Sequence, residues 1–229
     1  MNILVTGASR GIGKVIAESF DCEVFAVART EENIKHYKHY FVCDLENELD
    51  KLGEYIQANN IDVVINNAGA YIYKEADNLT LKEIERLTKI NLNAPIYIAS
   101  KALTHMKKQK WGRIINIGSI SGVMGEAGAN IYSATKAGLI GFTKATALEV
   151  AEYNITINTI NPGWVDTELG NNSIDDCEFT KEEIINSIPQ RRFVHPNEIA
   201  GMIKYLISDE AKGVTGQSIN LCAGLSVGC

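Results

Sequence analysis

Short apolar runs rich in β-branched residues alternate with longer amphipathic runs from one end of the chain to the other. The short runs occupy residues 3–5, 24–28, 40–42, 63–66, 113–117, 156–160 and 218–221. They are apolar at consecutive positions, as in parallel strands covered on both faces by helices. The longer runs predict helices near residues 13–20, 49–59, 81–108, 132–153, 181–187 and 197–208. Two of these helices open on capping boxes, Thr80-Leu81-Lys82-Glu83 and Thr180-Lys181-Glu182-Glu183. Residues 29–44 leave room for only a turn or two of helix. This alternation predicts an α/β fold: a single doubly wound parallel sheet of about seven strands, a Rossmann fold with helices on both faces. No repeat, low-complexity tract or linker divides the chain, so residues 1–229 are expected to form one domain.

Composition adds limits. With 229 residues, 45% of them hydrophobic and 22% charged, the chain can bury a substantial core. A net charge of −6 without a basic stripe argues against a nucleic-acid partner, because phosphates demand clustered Lys and Arg. The five cysteines, Cys22, Cys43, Cys177, Cys222 and Cys229, are dispersed, with no metal-like spacing to histidine. They read as reduced thiols of a cytoplasmic protein without a metal site. The opening Met1-Asn2-Ile3-Leu4-Val5 has no basic leader, and no run has the length of a membrane helix, so no membrane partner is expected.

Candidate chemistry starts at the first strand–helix junction, Thr6-Gly7-Ala8-Ser9-Arg10-Gly11-Ile12-Gly13. Glycines there let the backbone turn tightly and approach a pyrophosphate seated on free N–H groups of a helix start. The G-x3-G-x-G spacing alone also suits a plain turn; its place at the first junction favours a dinucleotide. The second strand ends Val27-Ala28-Arg29-Thr30, with no carboxylate to receive a ribose 2′-hydroxyl. Arg29 and Arg10 offer cations for the 2′-phosphate of NADP(H) instead, although Glu31 and Glu32 are alternative partners for Arg29.

A second group of residues suits proton transfer. Tyr132-Ser133-Ala134-Thr135-Lys136 places a phenol and an ammonium one helical turn apart. The ammonium is expected to lower the phenol pKa from its usual value near 10. Ser119, in Gly118-Ser119-Ile120-Ser121-Gly122, follows a strand and can polarise a carbonyl.

The Thr6–Gly13 turn, Asn66-Asn67-Ala68-Gly69, Asn91, Ser119, Tyr132, Lys136 and Asn161-Pro162-Gly163 occur in an order and spacing that resembles the short-chain dehydrogenase/reductase family. The likeness covers essentially the whole chain. It implies a catalytic tetrad of Asn91, Ser119, Tyr132 and Lys136. By that resemblance Tyr132 is the acid in reduction and the base in oxidation, and Lys136 tunes it and bonds the nicotinamide ribose. Ser119 orients the substrate oxygen, and Asn91 holds a relay water. Cofactor contacts are implied for Gly7, Ser9, Arg10, Gly11, Ile12 and Gly13 in the turn. Arg29 is implied at the phosphate, Asp44 and Leu45 at the adenine, and Asn67, Ala68 and Gly69 along the adenosine ribose. Pro162, Gly163, Val165 and Thr167 are implied around the nicotinamide. The Arg10 and Arg29 pair is similar to that of NADP-preferring members.

The second half looks most like the 3-oxoacyl-acyl-carrier-protein reductases of that family, implying an acyl thioester. Sugar-alcohol and steroid dehydrogenases are similar enough to keep a small free ketone or alcohol open. A non-catalytic NADP(H) sensor is disfavoured, since all four tetrad positions are present. The basic positions that dock a carrier protein near the mouth correspond to Lys110 and Tyr153, which leaves one cation. The substrate wall is expected from Tyr71, Ile72, Tyr73, Val123, Met124, Glu126 and residues 164–177, with Glu126 disfavouring an anionic group. The family implies a homotetramer or dimer, with Ile131, Leu139, Ile140, Phe142 and Ala147 offering apolar surface.

Overall fold

The computed structural model describes residues 1–168, 170, 174 and 179–227. Seven strands form one sheet: β1 (Asn2–Thr6), β2 (Glu23–Ala28), β3 (His39–Val42), β4 (Val63–Asn66), β5 (Gly112–Ile117), β6 (Ile155–Pro162) and β7 (Ser218–Leu221). Their order is β3-β2-β1-β4-β5-β6-β7, and every pairing is parallel. The helices described are α1 (Gly11–Glu18), α2 (Leu49–Ala58), α3 (Leu81–Thr88), α4 (Ala94–Gln109), α5 (Ser121–Met124), α6 (Asn130–Val150), α7 (Lys181–Ser187) and α8 (Pro196–Ile207).

Successive strand residues face opposite sides, so one strand feeds two cores. Ile3, Val5, Ile65 and Ile115 pack under α1 and α8, against Ile16, Ile199 and Ile203. Leu4, Val64, Ile114 and Ile157 pack under α2, α4 and α6, against Leu52, Ile98 and Val150. Burial on both faces is why these strands read as unbroken apolar runs.

The predicted strands fall within one or two residues of the observed ones, and residues 29–44 hold a single 3₁₀ turn, Glu31–Asn33. Both predicted capping boxes form. A third opens α8, where the His195 ring accepts from the Asn197 N–H and Glu198 returns to the His195 N–H. Histidine is not among the usual cap residues, so no sequence pattern marks this one.

The helix expected over residues 81–108 is interrupted by a π-helical turn, Lys89–Asn93. Pro95 explains it. Proline has no amide hydrogen for the carbonyl four residues back, which is that of Asn91, and its ring crowds that carbonyl. The wider turn relieves the clash and leaves Asn91 buried at the kink. The apolar surface expected on α6 also needs correction. Leu139 and Ala147 are in the core and Phe142 packs against it, whereas Leu148 is the large hydrophobic residue that this helix exposes, at 88%. Among the described residues no helix is long and apolar enough to cross a membrane.

At the switch point between β1 and β4 the glycine turn is tightly closed. A Cβ on Gly13 would run into the Gly7 carbonyl and the Asn67 amide, whereas one on Gly201, in α8, meets nothing within 4 Å. Gly201→Ala is therefore expected to raise stability by about 0.5–1 kcal/mol. Gly13→Ala is expected to lower it by about 2 kcal/mol, from overpacking against backbone. Chemical denaturation of the two variants checks the contrast, and equal effects would contradict this packing.

Candidate active site

The carboxyl ends of the strands border a cavity of about 1120 Å³, the place where open α/β sheets bind ligands. Every catalytic and cofactor residue expected from the sequence lines it except Gly13 and Asn91, which stand just behind the wall. Gly13 supports the turn by its lack of a side chain. A Cβ on Gly69 would lie 3.5 Å from Asn91 Oδ1 and 3.7 Å from Lys136 Nζ, so all three meet at one point.

One end of the cavity is made largely of backbone. Gly7 and Gly11 take positive φ, 69° and 53°, which let the chain leave β1 and enter α1 abruptly. The helix starts with no side-chain cap and no acid in its first turn. Its first N–H groups thus have no partner within the helix and face a site that favours an anion. Thr6 Oγ1 accepts from the N–H groups of Asn67 and Ala68, each at 3.0 Å, and Asn67 Nδ2 donates back to the Thr6 carbonyl at 3.0 Å. Asn67 is thereby a clamp on the glycine turn as well as a wall residue. Asn66 is buried and donates to Asn116 Oδ1, the structural role expected of it.

Arg29 lines this end. Its alternative partners are engaged elsewhere: Glu31 accepts from the Tyr40 hydroxyl, and Glu32 pairs with Lys35. Arg10, by contrast, pairs with Glu168 at 3.2 Å, both side chains well exposed, so its guanidinium must share or exchange that contact to hold a phosphate. Asp44 accepts from the Glu46 N–H and the Asn47 amide, and the former chiefly holds its carboxyl below the usual range. These residues fit a dinucleotide with a phosphorylated ribose.

The other end is made of side chains. Ser119 follows β5, Tyr132 and Lys136 stand on α6, and all three line the cavity. Lys136 is 4% exposed and donates to the Ile117 carbonyl at 2.8 Å, its Nζ 5.5 Å from the centre of the Tyr132 ring. Burial drives the Lys136 ammonium down to about 8. Burial also pushes the Tyr132 phenol up to about 12, with Ser119 opposing that shift and the Glu126 charge adding to it. The expected lowering of Tyr132 by Lys136 is thus reversed in this protein. The ammonium lies against the ring and is engaged by a carbonyl, while the phenolate loses its solvation.

The substrate wall is partly as expected: Tyr71, Tyr73, Met124, Glu126, Trp164 and Val165 line the cavity, and Ile72 and Val123 do not. Residues 169, 171–173 and 175–177 of that wall lie outside the described residues, Cys177 among them. Ser121, Phe179, Ile184 and Leu225 also line it and were missed. Ser121 comes from the one-turn helix α5, Ile184 from the buried side of α7, and Phe179 and Leu225 from loops that no periodicity marks. The Tyr71 ring meets the Tyr132 ring edge-on at 5.1 Å, and its hydroxyl donates to Glu126. Lys110 and Tyr153 precede β5 and β6, so within one chain they lie at the sheet edge opposite this cavity and do not flank its mouth. Cys22, Cys43 and Cys222 are free thiols, and among the described residues no cluster could hold a metal.

Residues 1–178 match the family described as short chain dehydrogenase. A 3-oxoacyl-(acyl-carrier-protein) reductase FabG from Buchnera aphidicola subsp. Schizaphis graminum is 37% identical, over 97% of this chain and 96% of that protein. The uncharacterized oxidoreductase YxjF of Bacillus subtilis is 35% identical, over 96% of each chain. Among solved structures, a single-residue variant of actinorhodin polyketide ketoreductase with NADPH superposes with a TM-score of 0.91 at 32% identity, covering 99% of this chain and 97% of its own. A putative NAD(P) dependent gluconate 5-dehydrogenase from Beutenbergia cavernae, with bound NADP, reaches 0.92 at 28% identity, covering 98% and 96%. Sheet order, glycine turn and the Ser119–Tyr132–Lys136 cluster agree with these likenesses, and the chain belongs to the short-chain dehydrogenase family.

Proposed function

We propose that the chain is an NADP(H)-dependent oxidoreductase interconverting a carbonyl and a secondary alcohol, with Tyr132 giving and taking the proton. The observation that carries this reading is that Ser119, Tyr132 and buried Lys136 line the same cavity as an uncapped, glycine-rich helix start. When bound, the nicotinamide supplies or accepts the hydride. The backbone N–H groups at Gly11–Gly13 hold the pyrophosphate, with Ser9 beside them, and Arg29 with Arg10 receives the 2′-phosphate. Asp44 and Leu45 bound the adenine, Asn67 to Gly69 the ribose, and Pro162, Gly163, Val165 and Thr167 the nicotinamide. Ser119 and Tyr132 hold the substrate oxygen as negative charge develops on it. A phenol kept protonated by its surroundings is the form that a general acid needs, which favours ketone reduction. Asn91 sits at the π turn, where its carbonyl cannot receive an amide hydrogen from Pro95 and remains available to a relay water.

The reductase relatives favour a 3-oxoacyl thioester as substrate. The Glu126 carboxylate in the wall favours a second class, a small polar ketone or polyol, since it rejects anions and accepts from hydroxyl groups. The placement of Lys110 and Tyr153 argues against carrier-protein docking on the same chain's cavity. We assign the chain to the cytoplasm as a one-domain subunit of a homotetramer or dimer. Exposed Leu148 on α6 and Leu81 on α3 supply apolar surface on the helices that pair in this family.

Tyr132→Phe is expected to lower ketone reduction by roughly 10²–10⁴-fold while NADPH affinity and Tm hold. Full activity in that variant removes Tyr132 from the mechanism. Arg29→Asp is expected to shift the NADP/NAD ratio of kcat/KM towards NAD by about tenfold or more, measured with both cofactors on one ketone.

Burial of Lys136 also sets a pH dependence of stability without cofactor. Its folded pKa of about 8 lies below the unfolded value of 10.5, so between them the unfolded chain binds the extra proton. Stability therefore rises with pH across that window and is lowest below it. Denaturation midpoints at about pH 7.5 and 9.5 are expected to differ by on the order of 2 kcal/mol, and Lys136→Met to remove the difference. A wild-type slope in Lys136→Met would show that another group titrates there.

A further inference from the structure

Ser119, Ser121 and Glu126 form a chain of hydrogen bonds leading away from Tyr132. Ser121 Oγ donates to Glu126 Oε2 at 2.6 Å, and Ser119 Oγ donates to Ser121 Oγ at 3.0 Å. The Tyr71 hydroxyl donates to the other Glu126 oxygen at 2.9 Å. Ser121 is buried, and Glu126 is half-exposed at the cavity rim between exposed Gly125 and Ala127.

Counting hydrogens fixes the direction of this chain. An ionised carboxylate has none to give, so Ser121 commits its only hydroxyl hydrogen to Glu126. Ser119 must then direct its own to Ser121, and it also accepts from the Ser121 N–H at 3.1 Å. Nothing remains for Ser119 to donate to a second partner. Both serine hydroxyl hydrogens therefore point towards Glu126. A ketone oxygen entering the site finds Ser119 committed as an acceptor, although two donors are needed to hold a developing alkoxide. Once Glu126 takes a proton it can donate to Ser121, the chain can reverse, and Ser119 is released to donate to the substrate.

We infer that Glu126 is a positioning residue that acts through Ser121 and decides whether Ser119 donates to, or accepts from, the substrate oxygen. This rests on the carbonyl–alcohol reading above and deepens it. The titratable groups around Glu126 are Tyr71 from the loop after β4, and Tyr132 and Lys136 from α6. Lys74, beside Gly128, is committed to Glu83 at 2.9 Å. Across the cavity stand Glu168, paired with Arg10, and Glu183, held in its capping box. Ser119 is a free donor only while Glu126 is neutral.

The test compares kcat and KM for ketone reduction with NADPH at neutral pH in wild type, Glu126→Gln, Ser121→Ala and the double variant. A glutamine amide can donate to Ser121, and alanine cuts the link. Each single variant is expected to gain about three- to tenfold in kcat with KM little changed. The double variant is expected to match the singles. A readout free of turnover is the Cζ resonance of labelled tyrosine, Tyr132 being identified by its loss in Tyr132→Phe. Its titration is expected to begin at lower pH in Glu126→Gln. An unchanged kcat in Glu126→Gln, additive effects, or an unmoved Tyr132 titration overturns the inference while leaving the oxidoreductase reading intact. If wild type oxidises NADPH with no ketone of a broad panel, both fall together.

Discussion

The hydroxyl of Thr6 joins the ends of β1 and β4, the two parallel strands between which the strand order reverses. It sits at the last residue of β1 and receives two N–H groups from the first residues beyond β4. A strand end at a switch point has no further ladder to satisfy its neighbours, and Thr6 is 1% exposed, so those amides would otherwise be buried and unpaired. With them satisfied, Asn67 can reach back across the turn to the Thr6 carbonyl, and Gly7 and Gly13 can close against it. The start of α1 is then held open towards the cavity. The cofactor end therefore inherits its geometry from the Thr6 and Asn67 side chains that tie the main chain together at the strand ends.

The catalytic end is organised by a different force, the cost of burying charge. Lys136 and Tyr132 are each pushed towards their neutral forms, in opposite directions on the pH scale. The adjacent Glu126 charge reinforces the neutral phenol. Around neutral pH a cofactor-free site therefore stores an unfavourable ammonium and a firmly protonated phenol. Any bound group that restores solvation to Lys136 is favoured by the same amount that burial disfavours the charge. In this way the site's own destabilisation contributes to ligand binding.

Legibility in the sequence followed this division. Strands β1, β4 and β5 were readable because burial on both faces demands unbroken apolar runs, and the glycine turn because only glycine permits its φ values. Tyr132, Lys136 and Ser119 were readable through fixed spacing on one helix and one strand end. Three things were not. The π turn at Lys89–Asn93 was hidden inside a continuous helical pattern, although Pro95 was its visible cause. The pairing of Arg10 with Glu168 joins residues 158 positions apart, beyond any local pattern. The upward shift of Tyr132 could not be seen because desolvation depends on what covers a group, whereas spacing reveals only that Lys136 is near.

The same contrast bears on how such a protein can change what it acts on. Its cofactor half is specified by backbone hydrogen bonds and by the absence of side chains at Gly7 and Gly13, so most substitutions there disturb the fold itself. Its substrate half is lined by side chains from the loop after β4, the short helix α5 and the segment leading to α7. Those side chains hold one another through hydroxyl and carboxylate contacts, such as Tyr71 and Ser121 on Glu126, that a single substitution can rewire without unseating a strand. Substrate choice is therefore free to vary on a scaffold whose cofactor end cannot. Relatives with the same sheet and the same glycine turn can differ in their substrates for this physical reason.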